Sequence, residues 1–571
     1  MLLSNLDLLA TAPGGVAHLR ETILTLAVQG KLVPQDPVDE PTSVLLQEIR
    51  TEKDRLIAEG KIKQDKSLVE ISDEEKPFGL PVGWEWVRAL DVCALITDGD
   101  HQPPPKADMG VPFLVIGDVR TGFVALEGAS RFVPESYFEG LDWGKKPCLG
   151  DVLYTTVGSF GIPIPVVQQQ RFCFQRHIAL FRPAVIELQS YLATALQTKL
   201  AFDQAERGAT GIAQKTVPLS VLRNLLLPLP PLAEQSRIVT RVEELMRLCD
   251  ALEAKGRLEA AQHAQLVSTL LGTLTASVTP EELADNWQRV AQHFDLLLDR
   301  PEAVDALEQT LLQLAVRGLL VHQDPADEPA SALLARIRTE KDRLIAEGKI
   351  KRDKPLPPVT DEEKPFELPV GWEWTRMGTV VNGSEAGWSP TCIGSPRRPG
   401  HWGVLKVSAV SWGEFDATAN KELPLDLAPK PEYEVRDGDF LLSRANTAEL
   451  VARSVVVTTA EPRLMLSDKV IRLDVSSQMN RVFLNMVNNA SHAREHYAMR
   501  ASGTSSSMKN VSREVVLALP VPLPPFVEQS RIVTCVTALR RLCADLRQRL
   551  KAAQATQSHL AQALVESSNA L

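Results

Sequence analysis

No apolar run in the 571 residues approaches the roughly 18–20 needed to cross a bilayer, so no membrane-spanning helix is expected. The opening MLLSNLDLLATAPGG has neither a basic start nor a long apolar core, and it is not expected to act as a secretory signal. Cysteine is sparse. The seven residues stand at positions 93, 148, 173, 249, 392, 535 and 543 without one CxxC pair, which indicates neither a zinc site nor a disulfide framework and points to a reducing, cytoplasmic setting. Catalytic signatures are missing too. GKKP at 144–147 does not satisfy GxxxxGK[ST], so no ATP-binding loop is expected. HExxH and GxSxG are absent, and no glycine-rich loop follows a strand in cofactor-binding fashion. The Asn/Asp-Pro-Pro-aromatic turn that would hold a flipped adenine is not formed, because PLPPF at 522–526 carries Leu where Asn or Asp is required. The acidic runs SDEEKPF and TDEEKPF repeat on a polar linker and do not read as a nuclease centre. These absences leave binding and assembly as the expected roles, with no catalytic residue, metal or cofactor assigned to this chain.

What is present is a chain written twice. Gln35–Lys66 recurs as Gln323–Lys354, with six of 32 positions changed and an offset of 288. The same offset joins LAVQGKLV at Leu26 to LAVRGLLV at Leu314, and LPVGWEW at Leu80 to LPVGWEW at Leu368. LPLPPLAEQSRIV at Leu227 returns as VPLPPFVEQSRIV at Val521, now at offset 294. Between these shared blocks lie residues 87–226 and 375–520, where the likeness falls away. Drift would spread differences evenly. A kept frame around changed inserts points to inserts with distinct specificities.

The frame reads as helical. Leu19, Ile23, Leu26 and Ala27 fall at helical spacing before Gly30, a stop signal. Leu45, Ile49, Leu56 and Ile57 form a second stripe between Pro41, placed in the first turn, and Gly60, a left-handed cap. After each LPPxxEQ block a longer helix follows, about 40 residues or about 60 Å. Its apolar residues Ile238, Val242, Leu245, Cys249 and Leu252, and again Ile532, Val536, Leu539, Cys543, Leu546 and Leu550, step as heptads, the spacing of a helix that packs along another. The shared register favours pairing of the two long helices as a spacer between two globular bodies. The prolines before them act as stiff joints.

Both inserts read as α+β domains. VPFLVIGDV, GDVLYTTVG and HIALFRP read as strands in the first, and WGVLKVSAV, GDFLLSRA, SVVVTT and KVIRLDV in the second. SYLATALQTKLAFDQAE and NRVFLNMVNNASHAREHYAM read as one helix each. The chain carries 62 Lys+Arg against 72 Asp+Glu, a net charge of -10. Residues 81–232 hold 13 bases against 14 acids and residues 369–525 hold 17 against 16, so the excess negative charge lies in the frame. That suits inserts that approach phosphates. Candidate readers are His101, Gln102, Lys145, Lys146, Arg176 and Lys215 in the first insert. In the second they are Arg397, Arg398, Lys406, Arg444, Asn446, Lys469 and Lys509. Arg and Asn can bond guanine and adenine edges in pairs, while Lys and loop hydroxyls hold phosphates.

Two variable inserts, each closed by a PLPPxxEQSRIV block and a heptad helix, resemble the specificity subunit of Type I restriction–modification systems. LRETILTLAVQGKLVPQDPVDEP and its second copy are similar to the repeated segments of one subgroup, Type IB, and TDGDHQPPPKADMGVPFLVIGDV resembles the opening of target-recognition domains in this family. The resemblance spans nearly the whole chain. It implies an α+β fold in which two globular target-recognition domains, at 81–232 and 369–525, are separated by long antiparallel helices in a pseudo-twofold tandem repeat. The frame would occupy 1–80, 233–368 and 526–571. It further implies that each domain binds one half of a bipartite double-stranded DNA site while the helices set the gap and bind two modification subunits. S-adenosylmethionine would sit on those partners, ATP and magnesium on restriction subunits, and this chain would be non-catalytic. Two other readings stay open from the residues themselves: a helical scaffold whose inserts bind proteins or ligands, and a fused methyltransferase or nuclease.

Overall fold

A computed structural model describes residues 6–64, 70–100, 104–119, 122–124, 126, 128–211, 214–352, 355–411, 413–503 and 508–570. The chain divides into two compact units, Met1–Glu259 with Ala553–Leu571, and Ala260–Ala552. Among the described residues no helix is long and apolar enough to cross a membrane.

In the first unit a short helix, Leu6–Thr11, precedes the frame helices Gly15–Val28 and Thr42–Ala58. Leu19, Ile23 and Ala27 of one, with Leu45 and Ile49 of the other, share a single core. Gly30 ends the first helix at φ +68°; a Cβ there would strike Pro81 at 2.4 Å, so the position needs glycine twice over. Pro41 stands one residue outside the second helix, as its N-cap. It does not enter the first turn as the sequence suggested.

The shared sequence blocks, far apart in the chain, meet in one place. Glu85–Arg88 from the GWEW block pairs antiparallel with Leu226–Leu229 from the LPLPP block and closes the insert with a two-stranded ribbon. Trp84 Nε1 donates to Glu234 Oε2 at 2.9 Å, and Gln35 Nε2 donates to the other oxygen at 3.0 Å. Arg237, three residues on, pairs with Asp39 at 2.6 Å. Arg88 in the ribbon pairs with Glu75 at 3.0 Å, which gives the acidic DEE run a structural task. Lys53 donates to the carbonyl of Leu90, 2.9 Å away, and latches the frame helix to the insert.

The first insert is built on a four-stranded sheet in the order Cys93–Asp98, Ile178–Pro183, Val152–Thr155, Pro163–Pro165. A smaller sheet has Val111–Leu114 between Phe132–Val133 and Cys173–Phe174. VPFLVIGDV thus forms a strand only to Leu114, then a helical turn at Ile116–Val119. The segment read as one helix is two, Gln189–Leu196 and Lys199–Gly208. Thr198 breaks it, because its side chain accepts the N–H of Ala201 and starts a new N-cap.

The second unit has its own copy of each device. Helices Pro301–Val316 and Ala330–Ala346 replace the first pair. Glu373–Arg376 pairs with Pro520–Leu523. Glu528 accepts from Trp372 at 3.0 Å and from Gln323 at 3.1 Å, and burial raises its carboxyl above the ordinary range. Arg531 pairs with Asp327 at 2.5 Å, and the Arg376 guanidinium holds Glu363 down to about 2. The four-stranded sheet runs Val381–Ala386, Val470–Val475, Phe440–Ser443, Ser454–Val456, the same order of elements as in the first insert. The expected single helix is again two, Arg481–Asn489 and Ser491–Arg500. WGVLKVSAV is a strand only over Gly403–Leu405, followed by a 3₁₀ turn at Val407–Val410. Helix Pro280–Gln292 has no counterpart in the sequence reading.

The long helices are Leu232–Ala276 and Phe526–Ala570, 45 residues each or about 67 Å. Ile238, Val242 and Cys249 are buried in the first unit's core, with Leu245 and Leu252 packed against it; Ala561 and Val565 of the other long helix belong to that same core. Ile532 and Val536 lie in a core of the second unit with Leu312, Leu333 and Trp372. Leu539, Cys543, Leu546 and Leu550 join Val267, Leu271 and Leu274 there in a further core. The matching heptad residues of the two helices therefore lie in different cores.

Candidate nucleic-acid interface

One end of each four-stranded sheet gathers most of the polar residues of interest. In the first insert the strands close with Thr155 opposite Ile178. Past that pair, Thr156 N–H donates to His177 O at 3.0 Å and Val217 N–H donates back to Thr156 O at 2.9 Å. Gly158 N–H donates to Lys215 O at 3.2 Å, and Thr210 and Thr216 exchange two bonds of 2.8 Å. Thr156 thereby ties two other segments to its own by backbone bonds, an arrangement of three loops at the sheet's end that we term the ring. A cleft of about 290 Å³ opens there, lined by Asp98, Thr156, Arg176, His177 and Thr216.

The second insert ties the same ring. Arg444 N–H donates to Lys469 O at 2.7 Å and Val511 N–H to Arg444 O at 3.0 Å. Ala445 and Asn446 pair with Asn510 and Lys509, and Ser502 and Asn510 exchange two bonds of 2.9 Å. Ring positions therefore correspond as Thr156 with Arg444, His177 with Lys469, Lys215 with Lys509, and Thr216 with Asn510. The backbone demands are alike too. A Cβ on Gly99 would lie 2.0 Å from Phe174 O, and one on Gly387 would lie 2.0 Å from Leu466 O. Glycine at these points lets the chain leaving the first strand pass against its neighbour.

The ring's side chains differ in chemistry. Arg444 and Lys469 are exposed cations. In the first insert their places hold a hydroxyl and an imidazole; burial, with Arg176 beside it, lowers the His177 pKa. Arg176 is exposed, with Nε 3.3 Å from the His177 ring. Lys215 is exposed and pairs with Glu206 at 2.7 Å. Lys509 donates to Gly503 O at 2.7 Å. Asn446 reaches the ring by its backbone, but its amide is committed to Ser411 Oγ at 2.9 Å and to the N–H of Thr447.

Other predicted readers lie elsewhere. Lys145 pairs with Asp100, whose backbone bridges Gln175 beside the cleft. Lys146 donates to Glu139 O at 2.8 Å. Arg397 is tied to Pro462 O and Glu461, and Arg398 to the buried Glu422, which it holds down to about 2. Lys406 is half-buried between strand Gly403–Leu405 and the 3₁₀ turn Val407–Val410. His101 and Gln102 lie outside the described residues. Sequence reasoning missed Thr156 and Thr216. The signal for the first was available: GDVLYTT and GDFLLSR, at Gly150 and Gly438, align Thr156 with Arg444. Among the described residues no group of His, Cys, Asp and Glu is placed to hold a metal ion.

Comparison with known proteins bears on this arrangement. Residues 81–263 match the Type I restriction modification DNA specificity domain. The chain is 40% identical, over 97% of its length and 93% of the relative's, to the Type I restriction enzyme EcoEI specificity subunit of Escherichia coli. It is 35% identical, over the same shares of each, to the EcoAI specificity subunit of Escherichia coli. A solved chain from work on complex assembly and conformational transition of the type I R-M system aligns with 86% of this chain and 99% of its own length, at a TM-score of 0.48 and 17% identity.

Proposed function

This chain belongs to the family of Type I restriction–modification specificity subunits, non-catalytic members of restriction–modification complexes, and from that premise we propose that its two inserts are target-recognition domains that each bind one half of a bipartite DNA sequence. The domains are residues 81–232 and 369–525. The observation that carries this is the pair of backbone rings: one framework, filled by Thr156, His177 and Thr216 in one insert and by Arg444, Lys469 and Asn510 in the other. A protein that must read two different sequences with one docking geometry needs this combination. Backbone and phosphate contacts fix the register, and exchanged side chains read the bases.

The frame serves assembly. The long helices pair antiparallel, set the distance between half-sites, and present two like surfaces to two modification subunits. Those partners supply S-adenosylmethionine and methyl transfer, and restriction subunits supply ATP-driven translocation and cleavage. The test is selection of DNA duplexes by the assembled complex, before and after residues 87–226 are exchanged for the insert of another specificity subunit. A change confined to one half of the selected sequence supports the reading. An unchanged selected sequence overturns it and leaves a scaffold whose inserts bind something other than DNA.

A further inference from the structure

We propose that the frame itself grips the DNA backbone, through a basic cleft beside the second insert that reads no bases. This rests on the reading of duplex DNA as the ligand and adds a second contact surface to it. The cleft, about 780 Å³, lies between helix Ala330–Ala346, the segment that follows it, and helix Arg513–Leu517 of the insert. Arg338, Lys351, Arg352 and Arg513 line it and are exposed. A fifth cation, Lys341, donates to Gly378 O at 2.6 Å and pins the helix to the insert. Among the described lining residues only Asp342 and Glu514 oppose them. Five cations against two carboxylates is a local reversal in a chain whose acids outnumber its bases by ten.

Two further observations identify the ligand. The cleft and the ring are joined through one chain segment, because Val511 bonds Arg444 and lies two residues before Arg513, which lines the cleft. A duplex seated on the ring therefore has its backbone within reach of the cleft. Second, residues 337–351 are identical to 49–63, although the core requires only apolar positions such as Ile49 and Leu56. Exposed Arg50 and Lys63 match exposed Arg338 and Lys351. The inserts diverge while Arg338, Lys341 and Lys351 are kept as Arg50, Lys53 and Lys63. Arg352 and Arg513 are Gln64 and Leu219 in the first copy, so the shared part of the surface has one ligand at both half-sites and the second copy adds charge to it. The sugar–phosphate chain is the part of the target that does not change with sequence.

The test uses the complete complex of this chain with its modification subunits, with binding to a cognate duplex and a scrambled one measured from 50 to 200 mM salt. The variant is Arg338→Gln, Lys351→Gln and Arg352→Gln together. Each phosphate contact contributes about 0.9 to the slope of log K against log salt, so the slope should flatten by up to about 2.7, and the variant should lose about 40-fold less affinity than the parent across that range. The cognate-to-scrambled ratio and the mass of the complex should stay as they are. The charge-keeping variant Arg338→Lys, Lys351→Arg, Arg352→Lys should retain the parent slope. An unchanged slope in a complex that still selects its site overturns the proposal. So does loss of a subunit from the complex, which would make the cleft a protein-docking surface. A parent complex with no sequence preference would instead remove the target-reading premise.

Discussion

In the first insert Asp151 takes hydrogen bonds of 2.8 and 2.7 Å from Arg182, and both side chains are buried beneath the sheet. In the second insert Asp439, which matches Asp151, meets Arg472 at 3.1 Å, each side chain 13% exposed, but by strand register Arg472 stands at the place of Leu180 and Asp474 at that of Arg182. The second insert has a different buried polar group in return: His492, on helix Ser491–Arg500, where the first insert has Leu200 on Lys199–Gly208. Shared strand order does not impose shared interior chemistry. What the two inserts hold in common is backbone, in the ribbon and the ring, together with one side-chain contact, the carboxylate tied to Trp84 or Trp372. Side chains inside and at the ring were free to change so long as those backbone bonds stayed closed.

The largest effect expected from this contrast follows removal of the better-made pair. Asp151→Ala strands a buried guanidinium and should cost about 3–5 kcal/mol. Asp439→Ala should cost clearly less, since Arg472 keeps the Glu385 carboxylate at 3.3 Å and the carbonyl of Glu434 as partners. Insert-resolved unfolding in urea measures both, and equal costs would break the comparison.

Next comes pH. Burial pushes His492 from about 6.5 down to about 4, with Pro520 O as a hydrogen-bond acceptor and His496 as a neighbouring like charge. A histidine kept neutral in the fold but free to protonate when unfolded stabilises fully above 6.5, and that contribution is lost as pH falls toward 4. The second insert should weaken by up to about 3 kcal/mol over that window. His492→Leu should reduce the dependence, leaving the smaller part that His496, also lowered by burial, contributes; persistence of the full pH slope in that variant would show that His492 does not carry it.

At the ring, Arg444→Ala should cost about 1–3 kcal/mol of discrimination and relax a single base position. Uniform weakening on every sequence would mark Arg444 as a phosphate contact instead. Smallest is the helix break: Thr198→Ala should cost about 1 kcal/mol, because Thr198 caps Lys199–Gly208, whereas Ala490 at the matching place offers no side-chain cap. Thermal unfolding of the Thr198 variant checks this.

These contrasts also show how far the residues alone could carry the reading. The helical pairs were legible because Leu19, Ile23, Leu45 and Ile49 repeat at helical spacing twice over and end on glycine. The ribbon was not, since GWEW and LPLPP are some 140 residues apart and nothing in a strand's local pattern names its partner. Pro163–Pro165 hid as a strand because proline reads as a break unless an edge strand accepts it. Val381–Ala386 hid because VNGSEA carries little apolar signal. At the site, Arg444, Lys469 and Lys509 announced themselves by charge. Thr156 and Thr216 did not, because a threonine gains meaning only from the position that the ring gives it.

The most direct test of the account exchanges ring side chains and leaves the backbone alone. Duplexes would be selected by the assembled complex carrying Thr156→Arg, His177→Lys and Thr216→Asn, with sequencing of the bound pool. The predicted result is altered base preference within one half of the target, while the other half and the gap between them stay as in the parent. Changes in both halves, or in neither, from a complex that is folded and intact would contradict it.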